Sequence, residues 1–392
     1  MLLLLFLLLA RSASVAGDGL GGFRVLVNHT KERRDYRESL TSWLLASAKG
    51  VQITSSPPFD SYWGLHIHRD LPSAFDKFFS HQTVNSIPGC RRLFGDKDGL
   101  VRLQQTAKYE LGVEGFAPPG YLLPQDSVAF SARGSASEVF ARKRLCSHSG
   151  AGVEILSAEA IMRGMDNATK GGAQFVAQKY VLDVLLVNGK YKFDVRWWAV
   201  ITRTSPTLEA YMFADGYAKL ACFGGTYDPH TLTKCAHVTN AAVQRECAQH
   251  FKATPRTGLC AEDQPRNVRS AEFQQAIAPV GTYSKLFEGA KQVVEQALVG
   301  AAWRLQLQVQ RTKPKCATFQ LLAVDVLYTG NAARPWLIEI NLNGYLQSGV
   351  VKVPGAKERL VEMLQHVGFL PSDDNEQCAS LHPDWVGLDL GR

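Results

Sequence analysis

The 392-residue sequence contains no Cys-x-x-Cys pair, no Gly-x-x-x-x-Gly-Lys-Ser/Thr loop and no Gly-x-Ser-x-Gly elbow. These absences exclude a zinc finger, a P-loop nucleotide site and an α/β-hydrolase nucleophile. There is no finger or basic-zipper pattern, so nucleic acid is not an expected partner. There is no internal repeat. The Gly17, Gly19, Gly22 match to a dinucleotide loop precedes the first strand instead of joining a strand to a helix, and is set aside. The N-terminal apolar run, Leu2–Ala10, is too short for a membrane helix, which needs about 20 residues.

What is present is the composition of a folded chain. Hydrophobic residues make up 46% and charged residues 20%, with 43 Lys and Arg against 36 Asp and Glu, a net charge of +7. A mildly basic protein suits acidic ligands such as ATP or an acidic polypeptide. Residues 1–16 read as a signal peptide, with Ser14-Val15-Ala16 as the small-residue cleavage site, although no Lys or Arg precedes the apolar run. That reading places the protein in the secretory pathway. An unprocessed tail leaves it in the cytoplasm. The eight cysteines include a trio, Cys235, Cys247 and Cys260, in a polar stretch; bridging in an oxidising lumen and free thiols both account for them. Two sequons, Asn28-His29-Thr30 and Asn167-Ala168-Thr169, matter only in the secretory pathway.

The element pattern is α+β, without regular strand–helix alternation. Residues 23–28 read as an opening strand, 35–48 as an amphipathic helix and 283–310 as a long helix, with a polar insertion over 224–270 and a shorter helix over 355–367. Two hairpins carry chemistry. In residues 319–341 a turn around Gly330-Asn331-Ala332 sets Asp325 opposite Glu339. Alternation then places Asp325 with Ala323 and Leu327, and Glu339 with Leu337 and Asn341. Facing carboxylates on an apolar hairpin repel unless a cation joins them, and Mg²⁺ takes such oxygens while leaving room for phosphate. A solvated polar face, or a salt bridge to Arg334 or Lys315, would account for the same residues.

In residues 179–202 the Asn188-Gly189 pair marks a hairpin turn. Its second strand sets Lys192, Asp194, Arg196 and Trp198 on one face and Phe193, Val195 and Trp197 on the other. The charged row can clamp phosphate, and a charged surface strand would look the same. Upstream, Lys143 precedes a small-residue loop, Ser147–Gly152, that includes Gly150. Such loops let backbone N–H groups approach phosphate.

Taken in order, six segments resemble the tubulin–tyrosine ligase-like family, which has the ATP-grasp fold. They are VNSIPGCRRLFGDKDGL (84–100), ARKRLCSHSGAG (141–152), Gln178-Lys179-Tyr180, KFDVRWW (192–198), HVTNAAVQ (237–244) and PWLIEINLN (335–343). The resemblance implies ATP and Mg²⁺ as cofactors. Lys143, Gly150, Gly152, Gln178, Lys179 and Tyr180 would hold nucleotide, and Asp325, Glu339 and Asn341 would hold metal. Arg196, Lys192, Asp194, Lys219 and Asn240 would serve catalysis. Lys219 stands where a family arginine is common, and Leu342-Asn343-Gly344 replaces a small-residue run. The implied reaction joins a free amino acid (glutamate, tyrosine or glycine, with polyglutamylation favoured) to a protein carboxylate on tubulin or another acidic tail, through an acyl phosphate. A catalytically silent binder of acidic tails, and a lumenal ligase with another acceptor, are the rival readings.

The expected organisation is a signal peptide (1–16), an N-terminal domain (17–120), a central ATP-grasp lobe (121–223), a C-terminal lobe with the metal hairpin (224–370) and a loose acidic tail (371–392). The nucleotide cleft lies between the two lobes. A monomer without a transmembrane helix is expected.

Overall fold

The computed structural model describes residues 23–28, 51–54, 58–64, 75–145, 152–170, 174–250, 258–260, 267–342, 353, 356–367, 369 and 383–390, apart from single positions 114, 134, 232, 279, 280 and 331. The leader, the expected helix at 35–48, the Ser147–Ala151 stretch with Gly150, and residues 371–382 of the tail lie outside the described residues.

Fourteen strands are described: β1 (Phe23–Asn28), β2 (Val51–Thr54), β3 (Ser61–Gly64), β4 (Thr83–Asn85), β5 (Gly120–Leu123), β6 (Val139–Arg144), β7 (Val153–Ser157), β8 (Phe175–Lys179), β9 (Leu186–Val187), β10 (Tyr191–Arg203), β11 (Glu209–Leu220), β12 (Ala317–Thr329), β13 (Arg334–Leu342) and β14 (Trp385–Gly387). They form two sheets. The smaller is antiparallel, in the order β5-β8-β6-β7. The larger has ten strands along β14-β11-β10-β12-β4-β3-β1-β2, with β13 beside β12 and β9 beside β10. The mixture of antiparallel and parallel pairing makes the chain α+β, as the sequence pattern indicates.

Strand β12 joins the two halves of the large sheet. Its first residues, Ala317–Phe319, pair parallel with β4, whereas Leu322–Thr329 pair antiparallel with β13. The strand can serve both because it is apolar on both faces. Leu322, Val324, Val326 and Tyr328 enter a core with the long helix Tyr283–Thr312, while Phe319, Leu321 and Ala323 enter a second core with Leu360, Met363 and Leu364 of the helix Ala356–His366. Burying a side chain of this size contributes roughly 1.5–3 kcal/mol. The long helix starts at Thr282, whose hydroxyl accepts from the Lys285 N–H at 3.4 Å. Tyr328 brings a polar end into this core, donating to the Leu286 carbonyl at 2.8 Å and accepting from Trp197 Nε1 at 3.0 Å. The small sheet covers its own core, in which Ile161 and Met165 of the helix Ala158–Lys170 meet Phe130, Phe140 and Phe175.

The expected loose tail is not loose where it is described: β14 pairs with β11, and Trp385 is buried in the second core. Three expectations about the two hairpins also need correction in detail. The first arm of the 179–202 hairpin is short. β8 ends at Lys179 in the small sheet, the chain crosses over, and only Leu186 and Val187 pair with β10. Asn188 and Gly189 do form the turn, both at positive φ. Second, Asp325 pairs with Glu339 as expected, but Val326 pairs with Leu337, so Ile338 is a bulge. A bulge flips alternation. Leu337 therefore lies in the core behind the sheet, away from the Glu339 face. Third, the salt bridge that stands as an alternative to metal is present at Asp325, but its partners are Arg196 and Lys219, not Arg334 or Lys315. Arg334 instead lies over the Trp336 ring, 4.3 Å from its centroid.

Candidate active site

A cavity of ≈ 370 Å³ opens between the two sheets, within the roughly 300–1,000 Å³ range of small-ligand sites. One wall comes from the small sheet, with Ala141, Lys143, Val153, Ile155, Val176 and Gln178. The other comes from the large sheet, with Lys192, Asp194, Arg196, Lys219, Asp325, Leu327 and Ile338–Asn341, and residues His237–Asn240 close one side. An apolar slot thus meets a charged floor. Six basic side chains line the cavity against four acidic ones, so it favours an anion.

The floor is a four-membered ion-pair network. β10 and β12 pair Arg196 with Asp325, and β10 and β11 pair Asp194 with Lys219, so the register itself brings the charges together. Arg196 donates from Nε and Nη2 to the two Asp325 oxygens at 2.7 and 2.8 Å. Lys219 Nζ lies 2.6 Å from Asp194 and 2.9 Å from Asp325. Burial opposes ionisation of Asp325, but the charges of Arg196 and Lys219 overcome it and hold the carboxyl below the usual carboxylate range. Burial likewise opposes the charge on Lys219, and Asp194 and Asp325 raise its pKa regardless. Thr239 donates its hydroxyl to Asp194.

Two further lysines face this floor. Lys143 on β6 donates to Gln178 Oε1 at 2.8 Å, and burial lowers its pKa. Lys192 donates to the Tyr180 hydroxyl at 2.6 Å, and burial lowers its pKa to about 8 against the pull of Asp194. Lys192, Asp194 and Arg196 of the expected β10 face thus form the floor of a cleft and not a surface, while Trp198 on the same face is buried in the second core.

The remaining expected residues are placed as follows. Lys179 sits at the cleft edge, exposed and ion-paired with Glu138. Asn240 lines the cleft, but its side-chain oxygen accepts from the Ala242 N–H at 2.9 Å, capping the helix Ala241–His250. Gly152 accepts from the Arg144 N–H at 3.1 Å next to the loop that lies outside the described residues. Glu339 and Asn341 line the cleft beside Asp325. These two carboxylates and one amide are hard oxygen donors on neighbouring strands. Such a set suits Mg²⁺ that completes its shell with phosphate and water. Among the described residues, no cluster of three or more His, Cys, Asp or Glu could hold a metal ion.

Sequence reasoning passed over three cleft residues: Lys97, Thr239 and His237. All three lie inside segments that carried the family resemblance, so the signal was present without a role attached.

Beside the cleft, the polar insertion is cross-linked. Cys222 joins Cys260, and Cys235 joins Cys247, so Cys222 completes the trio noted in the sequence. Cys90 and Cys316 are buried and belong to neither of these two disulfides.

Residues 75–377, more than half of the chain, match the model of the tubulin-tyrosine ligase family. The chain belongs to that family. Among curated proteins it is similar to a human protein named inactive polyglycylase TTLL10, at 26% identity over 267 residues, covering 64% of this chain and 37% of that one. It is also similar to the Caenorhabditis elegans tubulin polyglutamylase ttll-4, 25% identical over 328 residues (81% and 51%). The mouse tubulin monoglutamylase TTLL4 is 24% identical over 336 residues (83% and 27%). The chain spans from about a quarter to about half the length of these relatives.

Proposed function

We propose that this chain is an ATP-grasp ligase that joins a free amino acid to a carboxylate on an acidic polypeptide, at the expense of ATP. The observation that carries the reading is the convergence of Lys143, Lys192, Arg196 and Lys219 on one cleft beside Asp325, Glu339 and Asn341. The apolar slot lined by Val153, Ile155, Val176 and Leu327 has the chemistry to receive a purine, with Gln178, Lys179 and Tyr180 also lining the cleft. The lysines and Arg196 face the phosphates. Asp325, Glu339 and Asn341 would hold Mg²⁺, which would neutralise charge on the phosphate oxygens.

In the first step an acceptor carboxylate oxygen bonds to the γ-phosphorus and the bond to ADP breaks. In the second, the amine of the amino acid bonds to the acyl carbon, phosphate leaves and the amine loses a proton. Both steps build negative charge on phosphate, and preorganised cations in a low-dielectric cleft are the residues that stabilise it. The network of Arg196, Asp325, Lys219 and Asp194 keeps those cations in place before substrate arrives. Glutamate is the amino acid we favour, with tubulin tails as acceptor, following the names of two relatives. Ligation of labelled glutamate to tubulin, lost in Glu339→Gln, tests this.

One observation favours a second reading of the acceptor. Two disulfides, one within the insertion and one tying it to Cys222, fit an oxidising compartment, as would the signal peptide at residues 1–16. In that case the acceptor is an acidic lumenal or secreted polypeptide and not cytosolic tubulin. Glycosidase treatment of the protein from its native source tests it: a mass decrease supports the lumenal site, and an unchanged mass removes the main support of that reading.

A further inference from the structure

His237 stands at the end of a three-membered hydrogen-bond chain that leads to Lys192. The ring is buried, and its Nε2 lies 3.0 Å from the Asp228 carbonyl and 2.9 Å from the Thr231 carbonyl. Carbonyls only accept, so Nε2 carries the hydrogen and, in the neutral ring, Nδ1 accepts. Tyr180 is 2.8 Å from Nδ1 and must donate to it. The phenol oxygen is then left to accept from Lys192 Nζ, 2.6 Å away. Every member has one allowed direction, and the chain ends on an ammonium in the cleft.

Charge supports the same order. Burial, with the nearby Lys192 charge, lowers the His237 pKa and keeps Nδ1 bare, and burial raises that of Tyr180 and keeps the phenol protonated. Asp194 and Lys143 are the other charged groups acting on Lys192, while Tyr227 and Asp228 face the Tyr180–His237 end. The short helix Lys234–His237 is itself clamped. The Cys235–Cys247 disulfide ties it to the helix Ala241–His250, and Gln244 Nε2 donates to the Cys235 and Val238 carbonyls at 3.0 and 2.7 Å.

We propose that Tyr180 and His237 are positioning residues that aim the Lys192 ammonium at an anionic ligand, a nucleoside triphosphate on the reading above. The proposal rests on that reading for the ligand but not for the chain itself.

The experiment uses the full protein with Tyr180→Phe, His237→Ala, His237→Gln and Lys192→Met. Dissociation constants for Mg·ATP are measured from pH 6 to 9, and the rate of Lys192 modification by an amine-specific reagent is followed by mass spectrometry over the same range. Tyr180→Phe and His237→Ala should each weaken ATP binding about tenfold at pH 7, the loss of roughly one hydrogen bond. Both should move the Lys192 reactivity midpoint below the wild-type value: Tyr180→Phe removes the acceptor of the ammonium, and His237→Ala removes the group that orients that acceptor. His237→Gln, which keeps an acceptor, should recover most of the affinity. In the Lys192→Met background neither change should weaken binding further. Wild-type affinity and an unmoved reactivity midpoint in Tyr180→Phe would overturn the proposal, as would equal losses with and without Lys192. If the wild type binds no ATP while the midpoint still shifts, the positioning chain stands and the nucleotide reading falls.

Discussion

Arg196 grips both carboxylate oxygens of Asp325, at 2.7 and 2.8 Å, and both side chains are largely shielded from solvent. A bidentate pair of this kind fixes the orientation of both partners. It also ties β10 to β12 at the floor of the cleft, where the proposed function puts phosphate and metal.

Removing one partner should therefore be costly. Arg196→Ala leaves Asp325 buried with Lys219 alone, and such losses destabilise by about 3–5 kcal/mol. Urea melts should show that loss, and the double variant Arg196→Ala/Asp325→Ala should melt later than the single one. Equal stability of Arg196→Ala and wild type would contradict the geometry.

Glu339 behaves differently because it is exposed. Glu339→Gln should leave the melting temperature within a degree or two of wild type, estimated as a surface substitution, while ATP turnover falls by at least about a hundredfold, the scale of losing a charge-stabilising group. Thermal melts and phosphate release measure the two effects separately.

The register that places Asp325 against Glu339 is legible in the sequence because apolar alternation and the turn at Gly330 leave few ways to fold residues 319–341. The bulge at Ile338 is not. Inserting one residue opposite Val326 leaves no local signature, since Leu337, Ile338 and Ile340 are all apolar. The crossing of the chain between sheets after Lys179 is hidden for the same reason, because KYVLDVLLV reads as one continuous strand. His237 and Thr239 were visible as letters, but their roles depend on Tyr180 and Asp194, 57 and 45 residues away. Periodicity carries no information at that range.

Lys192 gives a pH dependence with a definite sign. Its folded value of about 8 lies below the unfolded value of about 10.4. Below pH 8 both states hold the proton and stability does not change on this account. Between about 8 and 10 the unfolded chain binds more protons, so this group makes stability rise with pH. Urea melts of wild type against Lys192→Met across that range should show the difference. A contribution falling with pH would contradict the burial of this lysine.

The disulfides should be detectable directly. Peptide mapping without reductant should recover Cys222 linked to Cys260 and Cys235 linked to Cys247. Reduction should lower stability by about 2–4 kcal/mol for each bridge, and should disturb ATP affinity through the helix that carries His237. Unlinked peptides from protein kept out of reductant would contradict the pairing.

The most direct test of the central claim is ATP-dependent ligation. Full-length protein is incubated with tubulin and Mg·ATP, in separate reactions with radiolabelled glutamate, tyrosine and glycine, and Glu339→Gln serves as control. The account predicts incorporation of glutamate that requires ATP and disappears in the control. Incorporation that persists without ATP, or survives Glu339→Gln, would contradict it.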